Sequence, residues 1–306
     1  MGDINLDIIL SDVQHMPELG REIEARGCTM KPGGSAANVA MMLALNGCPV
    51  RFYGQVGRDR AGDILAEGLR TYGLSTDTLA SSPRKPTGLT VSLTFPDDRM
   101  YVTYPGTTEI MGLGELEDTY VQPGAHLHLA SYFLLKKLKS QMGGILKRAK
   151  KAGMSTSLDP GGDPAGEWDM GELEGYFSYI DYFMPNADEM MGMTGRRDTG
   201  EALRGFIDSV QCVVVKTGAD GAAARCEGGI DAFPPYEANV IDTTCAGDCF
   251  DAGFLYGLSR GEEFKRCVQW GNRFGAQAVS SLGLPDRPIE DFLTAIQGNG
   301  TPEDRV

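Results

Sequence analysis

Asp242-Thr243-Thr244-Cys245-Ala246-Gly247-Asp248 runs directly into the apolar segment Cys249–Leu258. Phe250, Phe254, Leu255 and Leu258 recur there at helical spacing, so the heptad stands at the start of a helix. Its small residues leave backbone N–H groups free to point at an anion, and the helix dipole favours negative charge at that end. Asp248 closes the heptad with a negative charge of its own. Beside a phosphate such a carboxylate is costly unless it accepts a proton from a hydroxyl that attacks the phosphoryl group. The heptad alone leaves two readings open: a base, or an N-cap aspartate that stabilises the helix.

Outward from the heptad, strand-like and helix-like segments alternate. Val50–Gln55, Ala125–Leu129, Ser155–Leu158, Ile180–Met184 and Val213–Lys216 read as strands. Asp63–Thr71, Lys139–Ala152, Gly200–Ser209 and Phe264–Ser281 read as helices. That order predicts an α/β fold with a mainly parallel sheet and helices on both faces. One region breaks the rhythm. Thr87–Thr94 and Arg99–Pro105 flank the turn Pro96-Asp97-Asp98 as a hairpin, and Ile8–Val13 is a further short strand. These predict a small β-sheet apart from the α/β body, placed as a lid over one face.

Composition sets the limits on partners. The chain has 306 residues, 28 Lys and Arg against 42 Asp and Glu, and a formal net charge of −14. A chain of this length buries roughly three quarters of its unfolded surface and needs no disulfide or metal staple. The negative field excludes a nucleic-acid partner, which needs concentrated basic charge. The basic stretch Lys136–Lys151 alternates with apolar residues and reads as the solvated face of a helix. The longest apolar run, Val39–Leu45, is far below the roughly 20 residues that cross a bilayer, and no signal peptide opens the chain. A cytoplasmic protein without membrane partners is the expectation. Seven scattered Cys argue against a disulfide framework, and Cys245 and Cys249 read as buried free thiols.

Several familiar patterns are absent. There is no Gly-Lys dipeptide and hence no Walker A loop, and no G-x-G-x-x-G follows a strand. Gly257-Leu258-Ser259-Arg260-Gly261 matches a hydrolase elbow only formally, because a helix precedes it and no His follows. His126 and His128 share one face of a strand and read as core or edge residues.

Two further segments bear on the heptad. Gly33-Gly34-Ser35-Ala36-Ala37-Asn38 opens a helix over Ala36–Asn46. Paired glycines let backbone approach a small polyol, and Asn38 can hydrogen-bond hydroxyls; a tight turn before a core helix explains the same residues. Asn186-Ala187-Asp188-Glu189 lies just past a strand, at the sheet end where α/β sites form. Asn186 and Glu189 could order water around Mg²⁺ there, or simply cap a helix.

Taken in order, these segments resemble the signatures of the ribokinase-like (PfkB) family of carbohydrate and nucleoside kinases. Gly33-Gly34 with Asn38 resembles the first signature, Asp242 to Asp248 the second, and Asn186 to Glu189 the N-x-x-E motif. Lys216-Thr217-Gly218-Ala219-Asp220-Gly221 resembles the strand-turn that touches the nucleotide, and Gly2 to Asp7 the opening that ends on a sugar-binding aspartate. The resemblance implies one ribokinase-like three-layer sandwich over 1–306, with a lid from about 8–32 and 86–106. It implies phosphoryl transfer from ATP to a hydroxymethyl group of a small sugar or sugar acid. By it, Asp248 is the base, and the amides of Cys245, Ala246 and Gly247 form the anion hole. Asp7, Gly33, Gly34 and Asn38 hold the sugar; Thr217, Gly218, Gly221, Asn186 and Asn272 lie along ATP. Glu189 and Asn186 organise Mg²⁺ through water, and Asp242 is the candidate for a monovalent cation such as K⁺. Pairing of two lids suggests a homodimer.

Alternatives of other kinds are a nucleoside kinase, with Phe95, Tyr101 or Tyr104 stacking on a base, and a non-catalytic sugar- or nucleotide-binding regulator. Arg84, Lys85 and Arg99 are the lid cations available to an acid or phosphate group. Two departures from the family stand out. Cys245 replaces the usual Gly or Ala, and a thiol at a helix N-terminus is expected to be acidified and readily alkylated. Only Met1 precedes Gly2, so the first core strand is expected to be short or absent, or the native start lies upstream.

Overall fold

A computed structural model describes residues 1–95, 99–114, 119–206, 210–226 and 229–299. The expected turn Pro96-Asp97-Asp98 and the end of the expected helix Gly200–Ser209 lie outside the described residues.

Four strands run parallel in the order of the chain: β7 (His126–Ala130), β8 (Ser155–Asp159), β9 (Tyr182–Phe183) and β10 (Cys212–Lys216). β11 (Ala222–Cys226) and β12 (Gly229–Phe233) extend that sheet antiparallel. β10 is buried along its whole length, which explains its run of β-branched residues. Val214 packs into one core with α1 (Ser35–Leu45), α7 (Ala246–Ser259) and α8 (Phe264–Val279). Val213 and Val215 pack into the other with α3 (Lys136–Lys151) and α6 (Thr199–Arg204). The period of two along one strand thus divides the protein into three layers. β3 (Gly54–Gly57) and β4 (Leu79–Ser82) form a separate parallel pair, joined through α2 (Arg60–Thr71).

Residues 1–4 carry no strand, in keeping with the sequence. They still fill the seam beside β7. Met1 N donates to His128 O at 2.8 Å, Ala130 N to Met1 O at 3.3 Å, and Gly2 N to Tyr53 O at 3.1 Å. The expected strand Val50–Gln55 is displaced to Gly54–Gly57; just before it, Tyr53 O accepts from Gly2 N and Phe52 O from Thr78 Oγ1.

The second sheet has the order β2 (Gly27–Gly33), β1 (Asn5–Ser11), β5 (Gly88–Thr94), β6 (Arg99–Tyr104). β1 and β5 are parallel and the outer pairs antiparallel. It contains every strand expected of the separate sheet. Among the described residues no helix is long and apolar enough to cross a membrane.

One sequence expectation needs correction. Cys212 and Cys226 form a disulfide between β10 and β11, whose antiparallel register sets them opposite one another. Scatter along the chain concealed that adjacency. The other five Cys, including Cys245 and Cys249, are free. In the opening segment, Asp3 serves the fold. It caps α1 from outside, accepting from Ser35 N and Ala36 N at 3.1 Å and from Ser131 Oγ at 2.8 Å.

α7 and α8 approach through glycine. A Cβ on Gly253 would lie 2.8 Å from Phe274 Cβ and closer still to the Trp270 carbonyl oxygen. Backbone cannot yield there as a flexible side chain can. Gly253→Ala is therefore expected to lower unfolding free energy by about 1–3 kcal/mol, read from urea denaturation. An unchanged midpoint would show that the two helices have room to separate.

Candidate active site

α7 begins at Ala246, with Cys245 as its N-cap at φ 60°. That left-handed conformation suits glycine and costs a β-carbon-bearing residue about 1–2 kcal/mol. Behind the cap, the amides of the first turn lack intrahelical acceptors. Ala246 N makes only a 3.4 Å turn contact to Thr243 O.

Asp248, in the first turn, is held by a residue far away in sequence. Asn38 Nδ2, from α1, donates to Asp248 Oδ2 at 2.7 Å and lies 3.3 Å from Cys245 Sγ. Asn38 Oδ1 is buried without a partner, an acceptor available to a hydroxyl. Burial pushes the Asp248 carboxyl up to about 6; the Asn38 hydrogen bond opposes this and the Asp159 charge adds to it. Asp7 faces the same region from β1. Burial pushes it to about 7, opposed by its bond from Asn5, with the charges of Asp3 and Asp248 contributing. Gly33 lies under the Asp7 carboxylate, and a β-carbon there would force that side chain to shift. Gly34, at φ 100°, brings its backbone against Asp3 and Ile4, where a Cβ would lie 2.8 Å from Ile4 Cα. Asp7, Gly33, Gly34, Asn38 and Asp248 are thus brought together.

On the other side of the α7 N-terminus lies a cavity of about 1150 Å³. Gly218, Gly221, Ala246, Gly247 and Asn272 line it. Asn272 donates to Phe233 O and Pro234 O at 3.2 and 2.8 Å, fixing the cavity wall. Thr217 closes the turn through its amide, bonded to Gly221 O at 2.9 Å, and is not a lining residue.

The carboxyl ends of the parallel strands converge below this junction. Asn186 caps α5 (Ala187–Thr194) in a full capping box: Glu189 N donates to Asn186 Oδ1 at 2.8 Å, and Asn186 N to Glu189 Oε2 at 2.9 Å. Burial and then the Asp159 charge push Glu189 up to about 7. Among the described residues no cluster of three or more His, Cys, Asp or Glu forms a metal cage. Mg²⁺ bound beside phosphates needs only one or two carboxylates and keeps its waters. The second oxygen of Glu189 fits that role.

Sequence reasoning missed the ion cluster beside it. Lys216 Nζ, at the end of β10, donates to Asp159 Oδ2 at 2.8 Å and to both oxygens of Asp251 at 3.2 Å. Burial would lower the lysine, but Asp159, Asp251 and Glu189 outweigh it and hold it above its ordinary value. Burial opposes ionisation of Asp159 too, yet Lys216 brings it down to about 2, while burial raises Asp251. The available signal was a charge ending a strand or interrupting an apolar helix face: Asp159 after Ser155–Leu158, Lys216 after Val213–Val215, and Asp251 among the buried residues of α7.

Asp242 is also satisfied. It accepts from Thr244 N, Thr244 Oγ1 and Gly283 N at 2.9, 2.7 and 2.9 Å, and Arg99 Nη1 of β6 lies 3.3 Å away. Burial opposes these partners, which together hold its carboxyl below the usual range. Of the other lid cations, Lys85 pairs with Glu109 and Arg84 is exposed. His126 and His128 are core residues bonded to Ser155 and Ser157.

The family model described as pfkB family carbohydrate kinase matches residues 1–290. The chain belongs to this family. It is accordingly an ATP-dependent sugar kinase of ribokinase fold. It is 28% identical to an ATP-dependent ribose-1-phosphate kinase of Halopiger xanaduensis, over 96% of this chain and 95% of that protein. Among solved structures, the Arabidopsis thaliana ribokinase complexed with ribose and ATP is similar at 27% identity and TM-score 0.80, covering 97% of both chains. A ribokinase of Thermotoga maritima matches at 26% identity and TM-score 0.80, covering 96% of this chain and 97% of that one.

The acidity expected of the cysteine at the α7 cap does not hold. Burial first, then the charge of Asp248, raises the Cys245 thiol well above its ordinary value. Burial, together with carboxylates on the same side, outweighs the helix dipole. Iodoacetamide at neutral pH is expected to label exposed Cys28 well before Cys245. Peptide mapping that found Cys245 labelled first would restore the acidified thiol.

Proposed function

We propose that this kinase transfers the γ-phosphoryl group of ATP to a hydroxymethyl group of a small sugar or sugar acid, with Asp248 as general base. The observation that carries this reading is the Asn38–Asp248 hydrogen bond at the α7 N-terminus. It holds a carboxylate of raised pKa in the first turn of α7, beside Ala246 and Gly247, which line the large cavity. ATP would lie in the cavity along Gly218, Gly221 and Asn272, with Thr217 behind the turn. The sugar would lie against Asp7, Gly33, Gly34 and Asn38, the last accepting a hydroxyl proton at its unpartnered Oδ1. The four-stranded sheet would act as the lid. Exposed Met100, Val102 and Tyr104 on its edge strand β6 suit a second copy of that lid, consistent with a homodimer.

The reacting hydroxyl gives its proton to Asp248 as its oxygen bonds to the γ-phosphorus. The bond from phosphorus to the β,γ-bridging oxygen breaks, and ADP departs with that electron pair. Amides of Cys245, Ala246 and Gly247 would face the transferring oxygens, stabilising charge where it accumulates. Asn186 and Glu189 would hold Mg²⁺ through its waters. When bound, that ion supplies charge neutralisation between the phosphates.

Asp7 and Asp248 on the sugar side favour an unphosphorylated substrate, since carboxylates accept hydroxyl protons and repel phosphate. Two of the relatives divide on this point, one named for ribose-1-phosphate and one complexed with ribose. A panel of ribose, fructose, 2-keto-3-deoxygluconate, ribose 1-phosphate and adenosine, assayed by ADP release, separates the readings. An unphosphorylated sugar or sugar acid should give the highest kcat/KM; turnover of ribose 1-phosphate or adenosine alone would refute it. Asp248→Asn should lower kcat by about 10²–10⁴ with near-normal ATP binding. Because the base acts deprotonated, kcat/KM should fall about tenfold per pH unit below about 6. A profile flat down to pH 5 would place the base elsewhere.

Potassium is a separate matter. Arg99 already supplies a positive charge to Asp242, so we infer that the wild-type rate does not depend on K⁺. Arg99→Ala should create a dependence, with activity lost in tetramethylammonium buffer and partly restored by KCl. Equal response of both proteins to KCl would contradict this.

A further inference from the structure

The chain carries a net charge of −14, yet its kinase reaction brings a polyanion into the cavity beside α7. Among the described residues lining that cavity, Lys216 is the one basic side chain. It is also nearly sealed from solvent, with its side chain 9% exposed. It does not wander: two carboxylates from different elements, Asp159 on β8 and Asp251 on α7, hold its Nζ at 2.8 and 3.2 Å. Its three N–H donors run to two carboxylates, the two bonds to Asp251 being the long ones at 3.2 Å, so an arriving phosphoryl oxygen takes the place of one of these. The Nζ also lies directly under the anion-hole turn, 3.7 Å from where a Cβ on Gly247 would stand.

A purely structural role would be to pin β8, β10 and α7 together. Yet a buried ion pair is a poor way to gain stability, because desolvation of the charges offsets their attraction, and apolar residues of similar volume do as well. The position of the lysine at the cavity surface, rather than within either apolar core, has no explanation in packing.

We propose that Lys216 is a catalytic residue of the transfer: its ammonium group meets a γ-phosphoryl oxygen beside the Gly247 amide. This rests on the kinase reading above and deepens it. Asp159 and Asp251 are then positioning residues that fix the ammonium before ATP arrives. The site gains a cation at the point where charge accumulates, without a basic surface. Preorganised charge in a buried site stabilises a transition state more than it stabilises a flexible ground state.

Lys216→Gln alone leaves two carboxylates facing one another and could fail to fold. The test therefore uses the double variant Lys216→Gln/Asp251→Asn in the full chain, with thermal unfolding as the folding control. Its kcat should fall about 100-fold, while the sugar KM and the ADP dissociation constant stay within about threefold of wild type. A folded double variant with kcat within about threefold of wild type would overturn the proposal. A second measurement needs only the wild-type protein, labelled with ¹⁵N at lysine Nζ and assigned with Lys216→Arg. The Lys216 ammonium signal should shift more with a non-hydrolysable ATP analogue than with ADP. An equal response to both, or none to either, would equally overturn it. Failure of the kinase reading looks different, since wild-type protein would then turn over no sugar of the panel.

Discussion

A single lysine is buried between two aspartates at the carboxyl end of the parallel sheet, and much of the structure is arranged around it. Lys216 ends β10, Asp159 ends β8, and Asp251 projects from α7. An unpartnered charge there would cost several kcal/mol, so the three elements are held to one mutual geometry. Glu189 and Asp248 feel the same lysine through its charge. The position of α7 relative to the sheet, and with it the first turn that carries Gly247 and Asp248, follows from this constraint.

α7 is in turn fixed from its other sides. Glycines at its contact with α8 bring the two backbones close, and Asn38 reaches from α1 to its first turn. Arg99 of β6 reaches the loop before it at Asp242 and Thr244. The small sheet is thus tied by an ion pair to the loop that leads into α7. The helix N-terminus stands as a partition, with carboxylates and a free amide oxygen on one side and a large cavity on the other. Phosphoryl transfer across such a partition needs little from the protein beyond position and charge.

Much of the fold was legible because it follows from local chemistry. Val213–Val215 read as a buried strand, the periodic apolar residues of α8 as an amphipathic helix, and the hairpin strands β5 and β6 as a separate sheet. Helices began close to their capping residues, and Asn186 with Glu189 was readable as a capping box before its geometry was known. The heptad was legible as a helix start with a misplaced negative charge. Less was legible where meaning depends on a distant partner. Asn38 meets Asp248 across 210 residues, Arg99 meets Asp242 across 143, and Lys216 meets Asp159 across 57. Cys212 and Cys226 became a pair only through strand register, and Asp3 became a helix cap only because the chain returns to it at Ser35.

The sequence by itself determined the alternation of strands and helices, the small sheet, and the chemical kind of the site. Side-chain periodicity, capping and turn chemistry are properties of neighbouring residues, and those are written in order along the chain. Only the tertiary structure decided the charge state and the company of each site residue. It turned an expected acidic thiol at Cys245 into one raised by burial and carboxylates, and gave Asp242 an arginine. It also placed a lysine beneath Gly247 in the first turn of α7. The physical reason is that desolvation and Coulomb interaction depend on distances through space, and spacing along the chain carries almost none of that information.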